Sequence, residues 1–185
     1  MTIFNWPFGQ EAKNREYFLS QRKRMYRVAY SWCHNDALAD DLVQEALLRA
    51  YKYGQKLRDI KALDGWLFRI LKNCWHDELK RRREMQDIDT VPVFATDDTA
   101  GEYYQAELLQ QVYSAMAKLP EAQREVVSLV DVAELSYEQV ASALEIPVGT
   151  VMSRLNRART SLRERLEKNC QETVATIIPF GVEHE

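Results

Sequence analysis

Apolar residues recur at steps of three and four along most of the chain, and this period predicts amphipathic helices. Three of these helices are predicted in the N-terminal part. The first ends near Cys33, the second follows a cap at Asn35, and the third follows a cap at Asp64. Their apolar stripes are Phe18, Met25, Ala29 and Trp32, then Leu38, Leu42, Val43, Ala46, Leu47 and Ala50, then Leu67, Ile70, Leu71, Cys74 and Leu79. Three helices of this length can enclose a core together.

The C-terminal part repeats this period in shorter segments. A helix over about residues 103–118 is followed by another that starts at Pro120, whose ring suits a first helical turn. Ser136 and Gln139 have the spacing of a capping box, which predicts a short helix over 137–143. The stretch "LEIP" then turns the chain into "VGTVMSRLNRARTSLRERL".

This last stretch, residues 148–166, has two unlike faces. Apolar residues fall in one narrow sector, and short hydroxyls and arginines fall in the other. The two sets are Val151, Leu155, Ala158 and Leu162 on one side, and Thr150, Ser153, Arg154, Arg157 and Ser161 on the other. A short helix, a tight turn and a longer basic helix form a helix-turn-helix pattern, whose second helix enters the major groove of DNA. The alternative is a solvated helix whose arginines only aid solubility.

Charge divides the chain into two units. The net charge is only −3, but basic residues cluster over 69–83 and over 154–168. Between these clusters, "MQDIDTVPVFATDDTAGEY" carries carboxylates and no lysine or arginine. We therefore expect an all-α fold of two small helical domains joined by a flexible acidic linker, with a helix-turn-helix in the C-terminal domain. The predicted boundaries are 12–84 for the first domain, 85–101 for the linker, 102–168 for the second domain and 169–185 for a C-terminal tail.

Composition narrows the possible function classes. The chain has no apolar run of roughly 18 residues and no secretion signal at its N-terminus, so we expect a cytoplasmic protein. Cys33, Cys74 and Cys170 lack zinc spacing, which favours reduced thiols over the alternative of a redox or metal role. The three histidines are scattered, and no carboxylate pair or phosphate loop has a catalytic context. We therefore expect no catalytic residue, no metal and no cofactor.

Two long stretches carry a family resemblance. The segment "LPEAQREVVSLVDVAELSYEQVASALEIPVGTVMSRLNRAR" closely resembles the promoter-binding C-terminal domain of extracytoplasmic-function (ECF) sigma factors, a group of sigma-70 family initiation factors of RNA polymerase. The segments "YRVAYSWCHNDALADDLVQEALLRAYKY" and "GWLFRILKNCWHDELKRRR" look like their N-terminal domain. The resemblance covers about residues 15–168 and leaves "FNWPF" and "ATIIPFGVEHE" unassigned. It implies a factor that reads the −35 and −10 elements of promoters.

The acidic segment of the second helix has a role by this resemblance. "DDLVQEAL" looks like the segment with which the family grips the clamp helices of core RNA polymerase. Carboxylates beside an exposed leucine suit an arginine-bearing coiled coil. The alternative is a solvated acidic face with the leucine in the core. The core-polymerase-binding residues implied are Asp40, Asp41, Leu42, Gln44 and Glu45.

The stretch "KLRDIKALDGWLFRILKN" resembles the part of the family that holds one extruded base of the separated −10 strand. Leu57 and Leu63 could instead pack in the core. Asn73 could instead be an ordinary polar residue on the surface. Trp75 is the better candidate for stacking on a base, because Trp66 lies beside the inward sector of the same helix. The alternative for an exposed tryptophan is contact with an inhibitor protein. The −10 contacts implied are Leu57, Arg58, Leu63, Arg69, Lys72, Asn73, Trp75, Lys80, Arg81 and Arg82.

The helix-turn-helix supplies the −35 contacts. An arginine can donate two parallel hydrogen bonds to guanine, which discriminates by about 1–3 kcal/mol. The residues implied are Ser136, Tyr137, Thr150, Met152, Ser153, Arg154, Arg157 and Arg159. Two positions depart from the family. Glu134 stands where glycine is common, so we expect a differently shaped turn there. Met152 stands where a basic residue is frequent, so we expect looser phosphate contact or an altered −35 preference.

The resemblance also implies the partners. The first is core RNA polymerase, which the chain contacts at the β′ clamp helices and the β flap. The others are promoter DNA and an anti-sigma factor. The chain is expected to bind the anti-sigma factor 1:1 and to be a monomer when free. Two rival classes are open to the sequence. A conventional DNA-binding regulator needs the helix-turn-helix but not "DDLVQE", and usually dimerises on palindromes. An enzyme acting on nucleic acid is disfavoured by the scattered histidines.

Overall fold

The computed structural model describes residues 13–53, 62–86 and 103–177, and the structural statements below concern this part of the chain. The described residues form seven α-helices and one π-helical turn, with no β-strand, which confirms the all-α prediction. The elements are α1 (Lys13–Cys33), α2 (Asp36–Tyr53), α3 (Leu63–Gln86), α4 (Tyr103–Ala117), α5 (Glu121–Val127), the π-helical turn (Ser128–Val132), α6 (Tyr137–Leu144) and α7 (Val148–Ile177). Among these helices, none combines the length and the apolar character needed to cross a membrane.

Helix starts follow the sequence signals closely in two places. The side-chain oxygen of Asn35 accepts a hydrogen bond from the backbone N–H of Leu38 at 2.8 Å, so the predicted cap of α2 is confirmed. At α6 the capping box between Ser136 and Gln139 is complete, with both reciprocal hydrogen bonds present. These caps depend only on residues three positions apart, which is why the sequence predicts them.

Two other predicted helix starts shift by one or two residues. The third helix begins at Leu63, so Asp64 lies in its first turn and not at its cap. The carboxylate of Asp64 accepts instead from Arg24 at 3.1 Å. Pro120 occupies the cap position of α5, and its carbonyl accepts from the N–H groups of Gln123 and Arg124. Boundary shifts of this size are ordinary for helix termini.

The N-terminal helices and the C-terminal helices share one hydrophobic core. In this core α3 packs along α6, and α1 contacts α4, α5 and the π-helical turn. The hydroxyls of Ser31 and Ser128, both fully buried, lie 2.8 Å apart across the junction. The guanidinium of Arg24 donates to the carbonyl of Ala133, also across it. Two separable domains remain a prediction, because the linker lies mainly outside the described residues; we call this packing of the two halves the closed arrangement.

Gly65 permits a close approach between the halves. A β-carbon at this position would lie 3.3 Å from the carbonyl oxygen of Gln139 and 3.8 Å from its Cβ. The absence of a side chain at Gly65 therefore lets α3 lie directly against the start of α6.

The π-helical turn is not predicted by the sequence. It buries Ser128 and Leu129, and the N–H of Ala133 bonds to the carbonyl of Ser128 at 3.0 Å. Glu134 follows with a φ of 58°, in the left-handed region that favours glycine. The departure noted at Glu134 thus has a structural meaning, since a carboxylate-bearing residue adopts the conformation that a glycine would adopt without strain.

Candidate nucleic-acid and protein interfaces

The helix-turn-helix is formed by α6, a tight turn and α7. Glu145 ends α6 in the left-handed conformation, and the N–H of Ile146 bonds back to the carbonyl of Ala141 at 3.1 Å. The carbonyl of Pro147 then accepts from Thr150 and starts α7. Apolar residues lock the two helices together: Val140, Ala143 and Leu144 of α6 are buried, and so are Val151, Leu155 and Ala158 of the apolar sector predicted for α7. The predicted motif is therefore present.

The outward face of α7 carries the predicted −35 residues. Met152 is 53% exposed, and Ser153 and Arg157 are also exposed. Thr150 and Arg154 are half-buried. Within the described residues no salt bridge engages Arg154 or Arg157, so their guanidinium groups are available to an external anion.

Three other predicted −35 residues have structural partners. The hydroxyl of Ser136 belongs to the capping box, and Tyr137 is half-buried against the core. Arg159 donates two hydrogen bonds to the carboxylate of Asp131, at 3.1 Å and 2.5 Å, and this contact raises the pKa of Arg159. A phosphate must therefore compete with Asp131 for this arginine.

The predicted −10 cations on α3 divide into covered and open groups. Arg69 donates to the carbonyl and the hydroxyl of Ser142 on α6. Lys72 is only 9% exposed, and its Nζ lies 3.9 Å from a carboxylate oxygen of Glu145. Both cations are covered in this closed arrangement, because α6 occupies the place beside them, and their contact with phosphates stays a prediction.

The open group lies farther along α3. Asn73, Lys80 and Arg81 are exposed, and Arg82 is half-buried. The carboxylate of Glu78 holds Arg81 at 2.5 Å and Arg82 at 2.7 Å. Glu78 therefore keeps these guanidinium groups on one face of the helix.

Two apolar residues predicted to contact the −10 strand are core residues instead. Trp75 is 4% exposed within the shared core, so the prediction that it stacks on a base is wrong. Leu63 is 3% exposed and packs with Ala50 and Leu67, which confirms the alternative of core packing. Trp66 packs against this small cluster, as predicted. Leu57 and Arg58 lie outside the described residues.

The acidic face of α2 is open to solvent except for its leucine. Asp41, Gln44 and Glu45 are exposed, and Asp40 is paired with Arg22 at 2.7 Å. Leu42 is 5% exposed, so the expectation of an exposed leucine is wrong and the core alternative holds. A groove of about 310 Å³ runs between α2 and α3 beside this face. It is lined by Leu38, Asp41, Leu42, Glu45, Arg49, Cys74, Asp77, Glu78 and Arg81.

The cysteine prediction agrees with the described part of the chain. Cys33 and Cys74 are free and buried, and burial raises the pKa of each thiol to about 11. A thiol in this state is a weak nucleophile and a weak metal ligand at neutral pH. The side chain of Cys170 lies outside the described residues.

A cluster at the junction of the halves was missed by the sequence analysis. The Nε2 atom of His76 on α3 lies 2.5 Å from a carboxylate oxygen of Glu125 and 3.7 Å from one of Glu121, both on α5. The hydrogen bond that the imidazolium of His76 donates to the carboxylate of Glu125 raises the pKa of His76. No spacing rule joins residues this far apart in the chain, so only the packing of α3 against α5 reveals the cluster.

Comparison with known proteins gives two family matches in chain order. The model for sigma-70 region 2 matches residues 18–85, and the model for sigma-70 region 4 matches residues 109–162. The ECF RNA polymerase sigma factor EcfG of Rhodopseudomonas palustris is 38% identical over 149 residues, covering 80% of this chain and 82% of that protein. The ECF RNA polymerase sigma factor SigE of Mycolicibacterium smegmatis is 35% identical over 157 residues; the match covers 81% of this chain but only 60% of that longer protein.

Solved structures give the same fold. The sigma factor RpoE from Bartonella quintana, in complex with the anti-sigma factor NepR, matches with a TM-score of 0.75 and 30% identity, over 84% of this chain and 97% of that one. CnrH in complex with the cytosolic domain of CnrY matches with a TM-score of 0.62 over 89% of this chain and 94% of that one; at 23% identity this likeness concerns the fold alone.

Proposed function

The chain belongs to the ECF group of the sigma-70 family, whose members are transcription initiation factors and not enzymes, and we propose that it binds core RNA polymerase and directs it to promoters. The observation that carries this proposal is the pair of family matches, region 2 on α1–α3 and region 4 on α4–α7. A conventional regulator needs only the second of these units. The proposal therefore places the protein in the cytoplasm, where polymerase is found.

Polymerase binding is assigned to the acidic face of α2. Asp41, Gln44 and Glu45 form an exposed polar strip beside the groove between α2 and α3. Such a strip suits the arginine-bearing β′ clamp helices, because opposite charges steer encounter and fix register. Contact with the β flap is assigned to the region 4 unit by family membership.

Recognition of the −35 duplex is assigned to α7. The exposed helix face with Ser153, Arg154 and Arg157 has the shape and charge to enter the major groove. Arginine contacts there supply both phosphate attraction and base discrimination. The exposed Met152 adds an apolar contact where the family often has a cation, which favours a thymine methyl group at the position it meets.

Contact with the opened −10 strand is assigned to α3. Asn73, Lys80 and Arg81 are exposed in the closed arrangement and can meet the strand first. Arg69 and Lys72 join them once α6 moves away. Because Trp75 is buried, base stacking must come from another residue, and the segment with Leu57 and Arg58 remains the place where we expect the base pocket.

An anti-sigma factor is the proposed regulator. RpoE from Bartonella quintana is described in complex with the anti-sigma factor NepR, and CnrH, which has the same fold, in complex with the cytosolic domain of CnrY. We propose that this chain is likewise held by an inhibitor in a 1:1 complex, and is a monomer when free.

Run-off transcription with core polymerase on a promoter library tests the proposed function. Arg154→Ala should lower promoter-specific transcript by about 5- to 150-fold through lost −35 discrimination, with polymerase binding unchanged. Asp41→Ala should weaken polymerase capture by roughly several-fold, with the same promoters selected. A chain that binds promoters tightly without polymerase, or as a dimer with symmetric half-sites, would instead be a conventional regulator.

A further inference from the structure

The junction between the two halves contains a buried carboxylate with a titratable partner. Glu125 of α5 is 7% exposed, and one of its oxygens lies 2.5 Å from Nε2 of His76 on α3. A carboxylate this deeply buried is costly to desolvate unless a donor or a cation faces it. His76 is half-exposed and can exchange protons with solvent, so the charge on Glu125's partner depends on pH.

The charges around the imidazole come from both elements that meet there. Glu121 lies 3.7 Å away on α5, and a carboxylate oxygen of Glu121 is 3.9 Å from Arg83 of α3. Arg124 on α5 is next in sequence to Glu125, and Lys72 on α3 opposes protonation of His76. The hydrogen bond to Glu125 outweighs burial and the opposing charge of Lys72, so the site favours an imidazolium.

We propose that His76 and Glu125 form a proton-dependent latch that holds the two halves in the closed arrangement. With His76 protonated, the pair is a charge-assisted hydrogen bond across the junction. With His76 neutral, the buried Glu125 loses its countercharge, and Glu121 adds repulsion beside it. The consequence for promoters rests on the proposed function, since Arg69 and Lys72 are covered only while the halves stay closed.

The direction of the pH dependence follows from the raised pKa of His76. The ordinary histidine pKa is about 6.5, and the contact with Glu125 lifts the value in the closed arrangement above it. The stabilisation is therefore complete below the ordinary pKa and is lost as the pH rises through the raised one. Acid favours the closed arrangement and mild alkali favours opening.

A metal ion is the other occupant that these side chains suggest. The donor atoms of His76, Glu121 and Glu125 lie within 4.8 Å of one another. Two ligands of one tetrahedral zinc ion, each about 2.0–2.1 Å from it, lie roughly 3.4 Å apart. The 2.5 Å between His76 and Glu125 is shorter than this and matches a direct hydrogen bond. The geometry therefore favours a direct hydrogen bond between these two side chains over a bound metal ion.

Energy transfer between two dyes on the full chain tests the latch without polymerase or DNA. Lys52 on α2 and Glu164 on α7 are exposed positions in different halves and outside the junction. The dyes are attached through unnatural amino acids, and the pH is varied between about 5.5 and 8.5 in buffer with a chelator. We expect transfer to fall as the pH rises, and we expect His76→Gln to remove this transition.

The matched control is His34→Asn. Burial lowers the pKa of His34 to about 4, and its φ of 50° is one that asparagine tolerates, so this variant should keep the wild-type transition. Circular dichroism checks that His76→Gln folds. If it does not, Glu125→Gln is the second latch variant, and it too should remove the transition. Transfer that does not change with pH, a transition unaltered in the latch variants, or one that appears only without chelator would overturn the proposal. Run-off transcription tests the sigma-factor function separately.

Discussion

The two helices proposed to meet promoter DNA present their charges in opposite ways. On α7, Arg154 and Arg157 have no salt-bridge partner among the described residues and face outward. On α3, Arg69 and Lys72 lie against α6, where Ser142 and Glu145 hold them. The proposed −35 surface is thus open, while two of the cations of the proposed −10 surface are covered by the unit proposed to read −35. If these assignments hold, promoter opening requires a rearrangement that −35 binding does not.

The ion pairs that Glu145 makes with Arg69 and Lys72 are a weak part of what holds the covered state, beside the shared core. The nearest atoms of Arg69 and Glu145 are 3.9 Å apart, and the carboxylate of Glu145 is largely exposed. Exposed ion pairs of this kind stabilise by about 0.2–1 kcal/mol each. A partner shifts the population only if it favours the open form by more than these pairs and the shared core favour the closed one, and core polymerase is the partner proposed for this role.

A covalent lock between the halves should have the largest effect. A β-carbon at Gly65 would lie 3.8 Å from Cβ of Gln139, within the roughly 3.5–4.5 Å that a disulfide spans. In a Cys170→Ser background, the pair Gly65→Cys and Gln139→Cys should lose at least roughly tenfold of its run-off transcription on oxidation, because the covered cations cannot be released. Added reductant should restore it.

The control for the lock is Gly65→Cys alone, which carries the same crowding against Gln139 without a bridge. Its run-off transcription should be the same in oxidant and in reductant. Full activity of the oxidised double variant, with the disulfide verified by mass spectrometry, would show that the closed arrangement does not cover the −10 surface in a way that matters.

A smaller effect is expected from Glu145→Gln, which uncovers the cations without breaking the turn. Removing this carboxylate weakens the hold on Arg69 and Lys72 by about 0.2–1 kcal/mol, so promoter opening should rise by roughly 1.4- to 5-fold. The permanganate reactivity of thymines near −10 measures this change in promoter opening. Glu164→Gln, the same change on the exposed side of α7, should leave opening unaltered.

The smallest effect is expected from Glu134→Gly, next to the junction. With a φ of 58°, Glu134 is strained, and glycine should raise the free energy of unfolding by about 0.5–1 kcal/mol. Urea denaturation measures the change, and promoter opening should stay as in the wild type. A loss of stability would mean that the side chain of Glu134 contributes more than its backbone costs.

The sequence predicts what depends on near neighbours. The cap at Asn35, the capping box at Ser136 and the two faces of α7 each follow from spacings of a few residues, and all are present. The helical wheel of α3 shows one apolar sector, yet α6 packs along this helix from a second side. Lys72 is buried beside Glu145 at the end of α6, and no local pattern predicts this contact.

The site shows the same division. The polar strip of α2 is where the resemblance places it, but Leu42 faces the core because it also lies in the apolar stripe of its own helix. The contact of His76 with Glu125 joins positions 49 residues apart, so it follows from the packing of the halves and not from any motif.

The measurement that tests the central claim most directly is amine labelling of the wild-type chain, free and in complex with core polymerase, read by mass spectrometry. Lys72 is nearly buried in the closed arrangement, while Lys80 is exposed on the same helix and reports its general accessibility. We predict that Lys72 labels slowly in the free chain and that its rate rises toward that of Lys80 when polymerase binds without DNA. Equal rates in the free chain, or a Lys72 that stays protected in a holoenzyme able to transcribe, would contradict it.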